Sequence, residues 1–362
     1  MFIIGTQGDM FLCLLLFCVV NWSPMADGQI LSNNKFPTSS IMCHYKGYMN
    51  NLNPAIPFLD PTNIPPECDI IVYNSLTINS SSKLRIHSNI LNKLMCLNKT
   101  LLVAIKRDTD YEGWSDILTS DGNSVEAKRL CDFASMYNIK GFIIKELAPT
   151  TYSQSLNINI GEFVLPYLKQ LKCCDSFIIG VNIEAYAPFV KNPCVYNFEE
   201  MNKLVNFYDI NTYDLNDCNP QQYNGRTPLL QSPHGACYML GMQEVTTFLK
   251  ASKINYDMIY YTLELGPINI ECNSYVSYNQ VCLGSYNINT WCIQTTKDYY
   301  AKGQYISNEK CGLSIKWIEL DDILNNCKCI PFIGFQNAVA GYLGKSEIPC
   351  TNFNANDNKG NY

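Results

Sequence analysis

Eight short runs of apolar, β-branched and aromatic residues recur along this chain with longer stretches between them, and that alternation narrows the fold more than any other feature. The runs fall at 41–45, 68–73 (CDIIVY), 101–105 (LLVAI), 139–144 (IKGFII), 177–183 (FIIGVNI), 205–210 (VNFYDI), 258–265 (MIYYTLEL) and 330–335 (IPFIGF). Uninterrupted apolar runs of this length fit strands covered on both faces. Between several of them, apolar residues recur at helical spacing: Ala127, Leu130, Cys131 and Ala134 in the segment 125–137, with similar patterns over 163–171 and 242–253. Buried strands alternating with helices build βαβ units and a parallel sheet. Eight such units, with no glycine-rich dinucleotide fingerprint after any strand, predict an α/β fold of the (β/α)8 TIM-barrel type over an open doubly wound sheet.

One stretch interrupts the alternation. From 267 to 315 the chain is rich in Tyr, Asn and Cys, with Cys272, Cys282, Cys292 and Cys311. It is expected to form a small disulfide-bonded insertion before the last strand. The tail at 351–362 has little to bury and is expected to be disordered. Charged residues are 16% of the 362 and apolar residues 47%, so low charge here does not mean a chain too polar to fold. A net charge of -6 offers no excess of cations for a phosphate backbone, which argues against a nucleic-acid partner.

Cysteine usage points to an oxidising compartment. Cys13 and Cys18 lie in an apolar run from Met10 to Trp22, too short to span a bilayer and suited to a signal-peptide core, although no Lys or Arg precedes Lys35. Cleavage after Gly28 would make 1–28 the signal and 29–350 the folded chain, with sixteen of the 18 cysteines left for disulfides. No later segment reaches the length of a membrane span, and a secreted, extracellular protein is expected. A zinc protein is the rival account, but no CxxC occurs and His44, His87 and His234 share no ligand spacing, so neither metal nor cofactor is expected. Cys173-Cys174 and Cys327-Lys328-Cys329 read as half-cystines. Asn79 and Asn98 open N-glycosylation sequons. Pro233-His234-Gly235 has no nucleophile elbow near it, which argues against a serine hydrolase.

Several segments, in order, resemble the family-18 glycoside hydrolases, the chitinases and chitinase-like proteins. The run 68–78 (CDIIVYNSLTI) is similar to the family's second strand, and 205–214 (VNFYDINTYD) to a sixth strand closed by a Tyr-Asp pair. Ser277 to Cys282 (SYNQVC) resembles the opening of the family's α+β insertion, and Trp317 to Asp322 (WIELDD) the stretch that closes it. The resemblance spans roughly 40 to 340. It implies a disulfide between Cys43 and Cys68, and it nominates Tyr213 and Asp214 as carbohydrate contacts, with strand-end packing as the competing account.

The catalytic segment departs from that pattern. The family carries Asp-Gly-x-Asp-x-Asp-x-Glu on strand four, followed by Tyr and Pro; here 140–149 reads KGFIIKELAP. Gly141 and Pro149 set the register, so Lys140, Ile143 and Lys145 stand for the aspartates and Leu147 for the acid. The implied chemistry needs that acid to protonate the leaving oxygen while the sugar's acetamido group attacks. Leucine has no proton to give, and loss of general acid catalysis costs typically about 10²–10⁴-fold. Glu146 is the neighbouring carboxylate, but strand alternation aims it away from the Leu147 side unless a bulge re-aims it. The strand-three equivalents are Ala104, Lys106 and Arg107, where the family has Ser and a Gly pair. The family's last strand supplies a tryptophan floor, for which Ala338 is the provisional match. The sequence therefore predicts a secreted, catalytically inactive chitinase-like protein that acts by binding an extracellular protein or, weakly, a chitin-type glycan. The alternatives are a chitin-oligosaccharide lectin and a divergent chitinase that uses Glu146 as its acid.

Overall fold

The computed structural model describes residues 36, 38–85, 87–149, 156–173, 175–213, 215–220, 223, 225–230, 238–269, 275–284 and 290–353. The expected signal segment 1–28 and most of the tail 351–362 lie outside them. Eight strands run parallel: β1 (Ile41–Tyr45), β2 (Ile70–Ile78), β3 (Thr100–Arg107), β4 (Gly141–Ile144), β5 (Ile178–Glu184), β6 (Phe207–Asn211), β7 (Ile259–Glu264) and β8 (Gly312–Lys316). Each pairs with the next in chain order, and β1 pairs with both β2 and β8, which closes the sheet into a barrel. Seven longer helices flank it: α1 (Ser88–Met95), α2 (Asp110–Leu118), α3 (Asn123–Met136), α4 (Ile160–Leu171), α5 (Met242–Lys250), α6 (Thr296–Asn308) and α7 (Ile333–Tyr342).

The last unit differs from the sequence reading. The eighth strand is β8, which begins inside the expected insertion 267–315. The run 330–335 is not a strand: it forms a turn and the first residues of α7. Phe332 adopts a left-handed conformation at φ 58°, and Asp321 accepts the backbone N–H groups of Gly334 and Phe335 at the helix start. An apolar run bounded by a capping carboxylate and buried against the barrel looks strand-like in sequence, and tertiary packing decides its conformation. The small antiparallel pair Ile268–Asn269 with Trp291–Cys292 belongs to the insertion.

Side-chain alternation divides the buried apolar residues in two. The larger cluster fills the layer between barrel and helices. A separate cluster of Met42, Val72, Leu102, Ile143, Phe207 and Tyr260 fills the barrel interior. Phe36 stacks on Phe207 at 4.8 Å between ring centroids and closes the N-terminal end. Gly141 is required where it stands, because a Cβ there would come within 2.1 Å of the Ile178 carbonyl oxygen. That close approach of β5 fixes the register of β4. Five disulfides bind the described chain: Cys43–Cys68, Cys131–Cys173, Cys218–Cys292, Cys282–Cys327 and Cys329–Cys350. Cys311, one of the four cysteines expected in the insertion, is a buried thiol outside these bridges and stands just before β8.

Candidate binding site at the C-terminal mouth of the barrel

Above the apolar plug the barrel interior becomes polar. His44, Asn182, Asp209, Thr262 and Ser314 are all buried there. Asn74 donates to His44 Nδ1 at 3.1 Å, so His44 Nε2 carries the proton and donates to Ser314 Oγ at 3.0 Å. Burial, then the charges of Lys145 and Lys316, hold the His44 pKa well below its ordinary 6.5, which keeps the ring neutral. Asn182 donates to Asp209 at 3.0 Å, and Thr262 donates to it as well. This is not a nucleophilic triad. Ser314 and Asp209 both face Nε2, and all three side chains are inaccessible.

The network supports a cavity of about 280 Å³ at the C-terminal ends of the strands, where the loops of a (β/α)8 barrel build their sites. Four lysines line it: Lys46 just after β1, Lys106 on β3, Lys145 just after β4 and Lys316 at the end of β8. Its carboxylates are Glu146 and Glu184, and its aromatic wall is Tyr48, Tyr186, Tyr213, Tyr275 and Trp317. A second cavity of about 210 Å³ shares Tyr213, Tyr275 and Lys316 with it and adds Arg226 and Glu264.

The end of β4 is where the structure departs furthest from strand alternation. Lys145 keeps the ladder, donating its backbone N–H to Ile105, and Trp114 of α2 donates its indole N–H to the Lys145 carbonyl at 2.8 Å. Glu146 then turns left-handed at φ 59°, which reverses the sense of the following side chains. Lys145 and Glu146 consequently both line the cavity, whereas Leu147 is absent from its lining and is 1% exposed within the outer core. The expectation that Glu146 faces away from the site is overturned. Its carboxylate lies 3.3 Å from Lys106, and Lys106 also reaches Asp110 at 3.6 Å. Burial foremost, then the hydrogen bond that protonated Glu146 donates to the neighbouring Asp110 carboxylate, raise the Glu146 pKa above its ordinary 4.5 against the pull of Lys106.

The other positions that the sequence aligns with the family motif are scattered. Lys140 is exposed at the opposite end of β4 and bonds Asn138, and Ile143 belongs to the apolar plug. Ala104 lines the cavity floor. Arg107 is buried behind it, its Nη1 donating to both Glu126 carboxylate oxygens at 2.8 and 3.0 Å. Tyr213 lines both cavities, with Lys316 Nζ 3.4 Å from its ring centroid; Asp214 lies outside the described residues. Asn98 is exposed, and Asn79 is half-buried, its side-chain oxygen accepting from Ser81 and Lys83.

The tryptophan assignment also changes. Ala338 sits buried in α7, far along the chain from the strand ends, while Trp317 follows β8 directly and lines the cavity. An aromatic wall is therefore present, but Lys46 occupies it: its Nζ is 5.0 Å from the Trp317 ring, 5.2 Å from Tyr275 and 5.4 Å from Tyr48. Lys46, Lys316, Tyr48 and Tyr275 were not singled out from sequence. The available signal was a lysine just past three of the predicted strands, Lys46, Lys106 and Lys145, the positions that face a barrel mouth; Lys316 ends a strand that only the structure reveals. Cys282, Asp322 and Cys327 converge as potential metal ligands, but the two sulfurs are joined in a disulfide.

Fold and site together define a closed (β/α)8 barrel with a cavity at its C-terminal mouth, and comparison with solved structures narrows this to the chitinase fold. The second catalytic domain of the Group II chitinase of Ostrinia furnacalis superposes with a TM-score of 0.73 at 12% identity, covering 87% of this chain and 99% of that one. Human YKL-39, described as a pseudo-chitinase with retained chitooligosaccharide binding, gives 0.69 at 14% identity, covering 85% and 100%. The immunomodulatory active chitinase of Trichuris suis gives 0.66 at 13%, covering 78% and 93%. No protein-family model matches the sequence, and no curated protein matches it. The likeness is one of fold, shared by active enzymes and by a pseudo-chitinase.

Proposed function

We propose that this protein is a secreted, catalytically inactive member of the chitinase-like group that acts by binding an extracellular protein or a glycan. The observation that carries this reading is the fate of the strand-four acid position: Leu147 is withdrawn into the outer core, and Lys145 stands in the cavity where the resemblance expects an aspartate. A buried ammonium cannot accept the acetamido hydrogen bond that substrate-assisted cleavage requires, and it opposes the cationic transition state. Five disulfides support an oxidising compartment, in line with the signal-like segment at 1–28 and the sequons at Asn79 and Asn98. Among the described residues no helix is long and apolar enough to cross a membrane.

A divergent hydrolase is the second reading, and one observation favours it: the left-handed turn at Glu146 brings a carboxyl of raised pKa to the cavity. Its ion pair with Lys106 argues against a free general acid. Assays on chitin and soluble chitooligosaccharides between pH 3 and 9 separate the two readings. The expected result is no turnover above background, and no gain from Leu147→Glu alone, whose side chain would start in the outer core. Turnover that survives Leu147→Ala and vanishes in Glu146→Gln would establish the hydrolase instead.

A further inference from the structure

The cavity mouth carries a charge opposite to that of the whole chain. The protein has a net charge of -6, yet its cavity is lined by Lys46, Lys106, Lys145 and Lys316 against Glu146 and Glu184. The two carboxylates are committed elsewhere: Glu146 lies against Lys106, and Glu184 accepts from Asn211 at 2.9 Å. A third carboxylate, Glu319, lies beneath Lys46 but accepts the backbone N–H groups of Lys46 and Gly47, both at 2.7 Å. Lys145 is the residue left over. It is 5% exposed and lines the cavity, and among the described residues its ammonium has no acceptor. Its charge and that of Lys316 both bear on His44 below, so the cations converge on one point. The ammonium opens to the cavity without a counter-charge beside it, and a bound anion supplies one.

The aromatic wall adds a second constraint. A neutral sugar ring binds such a wall by stacking on it. Here Lys46 lies over Trp317, Tyr275 and Tyr48, and Lys316 over Tyr213. A neutral oligosaccharide has to displace both ammonium groups, and gains nothing from Lys145. A ligand with an acidic group engages the same lysines directly.

We propose that this mouth binds an anionic saccharide, one bearing a carboxylate or sulfate, with the acidic group held by Lys145 and flanked by Lys46 and Lys316. The proposal rests on the binding reading above and narrows its glycan branch. Calorimetry on the intact mature protein tests it with three tetrasaccharides: hyaluronan, which pairs N-acetylglucosamine with a carboxylate sugar, chondroitin sulfate, and neutral chitotetraose. At least one acidic tetrasaccharide is expected to bind tenfold or more tighter than chitotetraose, and to weaken as salt is raised. Both acidic ligands carry a uronate carboxylate, so binding of hyaluronan assigns the carboxylate, and binding of chondroitin sulfate without hyaluronan assigns the sulfate. Lys145→Met should remove the preference and Lys145→Arg should retain it, with Lys203→Met, on the outer surface, as the control. Lys145→Met should also leave the melting temperature unchanged or raise it, which separates lost binding from lost folding. Chitotetraose binding as tightly as both acidic ligands, indifferent to Lys145→Met, would overturn the proposal and leave glycan binding standing. Binding of none of the three would overturn the proposal and the glycan branch together, leaving the protein-partner branch and the absence of hydrolysis untouched.

Discussion

The two halves of the barrel mouth have diverged in opposite ways. At the ends of β3 and β4 the side chains are held by structure: Trp114 pins the Lys145 carbonyl, Arg107 is locked to Glu126, and Leu147 packs outward. At the ends of β1 and β8 the aromatic wall of Trp317, Tyr275 and Tyr48 is intact, and what has changed is its occupant, the Lys46 ammonium. One half is organised by a re-routed backbone; the other presents an aromatic surface covered by a cation. On the proposed reading, such a site lacks the means to catalyse while it offers a shaped and polarised place to bind.

The comparison breaks most readily at the buried ion pair behind β3. Glu126→Ala leaves Arg107, 2% exposed, without its counter-charge, and chemical denaturation should show a loss of about 3–5 kcal/mol. Tyr167 also donates to Glu126, so the same change strips a second buried partner. On the other half, Cys43→Ala removes the bridge that ties β1 to the segment before β2. Opening a loop of 25 residues should cost about 3–4 kcal/mol on the chain-entropy estimate, read from the shift in denaturation midpoint. A loss at β1 as large as the loss at β3 would show that both halves are equally braced and differ only in chemistry.

A pH titration sharpens the contrast. Burial pushes Glu319, beneath Lys46, from its ordinary 4.5 up to about 7, and Asp321, at the start of α7, from 3.8 up to about 6. Both groups bind protons more tightly folded than unfolded, so their contribution is present at acid pH and is lost as pH rises through about 6 to 7. The melting temperature should fall between pH 5 and 8, and Glu319→Gln should flatten that slope by an amount on the order of 1–3 kcal/mol. A slope unchanged in that variant would assign the effect elsewhere. The smallest effect concerns the wall. Lys46→Ala vacates the three rings, and affinity for chitotetraose should rise roughly two- to fivefold, the equivalent of surrendering one cation–π contact of about 0.5–1 kcal/mol. No gain would mean that the wall does not stack sugars even when open.

Much of the scaffold was legible because it rests on local pattern. Seven of the eight runs read as strands contain or overlap barrel strands, and the amphipathic segments at 125–137, 163–171 and 242–253 overlap helices α3, α4 and α5. The eighth strand was misplaced. GLSIK is short and follows a cysteine-rich stretch, while IPFIGF is more apolar but is capped by Asp321, a contact made through folding rather than through sequence adjacency. The Cys43–Cys68 bridge came from resemblance, since spacing alone leaves many pairings open.

By itself the sequence determined the parallel barrel, the absence of a titratable group at Leu147, and a lysine just past three of the predicted strands, Lys46, Lys106 and Lys145. Those follow from residue identity and from periods of two and 3.6 along the chain. The tertiary structure alone decided which of those side chains meet. The left-handed turn at Glu146, the withdrawal of Leu147 and the seating of Lys46 on Trp317 each depend on one backbone angle or on neighbours contributed by distant segments. Strand alternation carries no record of such a turn, because a single residue at positive φ exchanges the faces of everything after it.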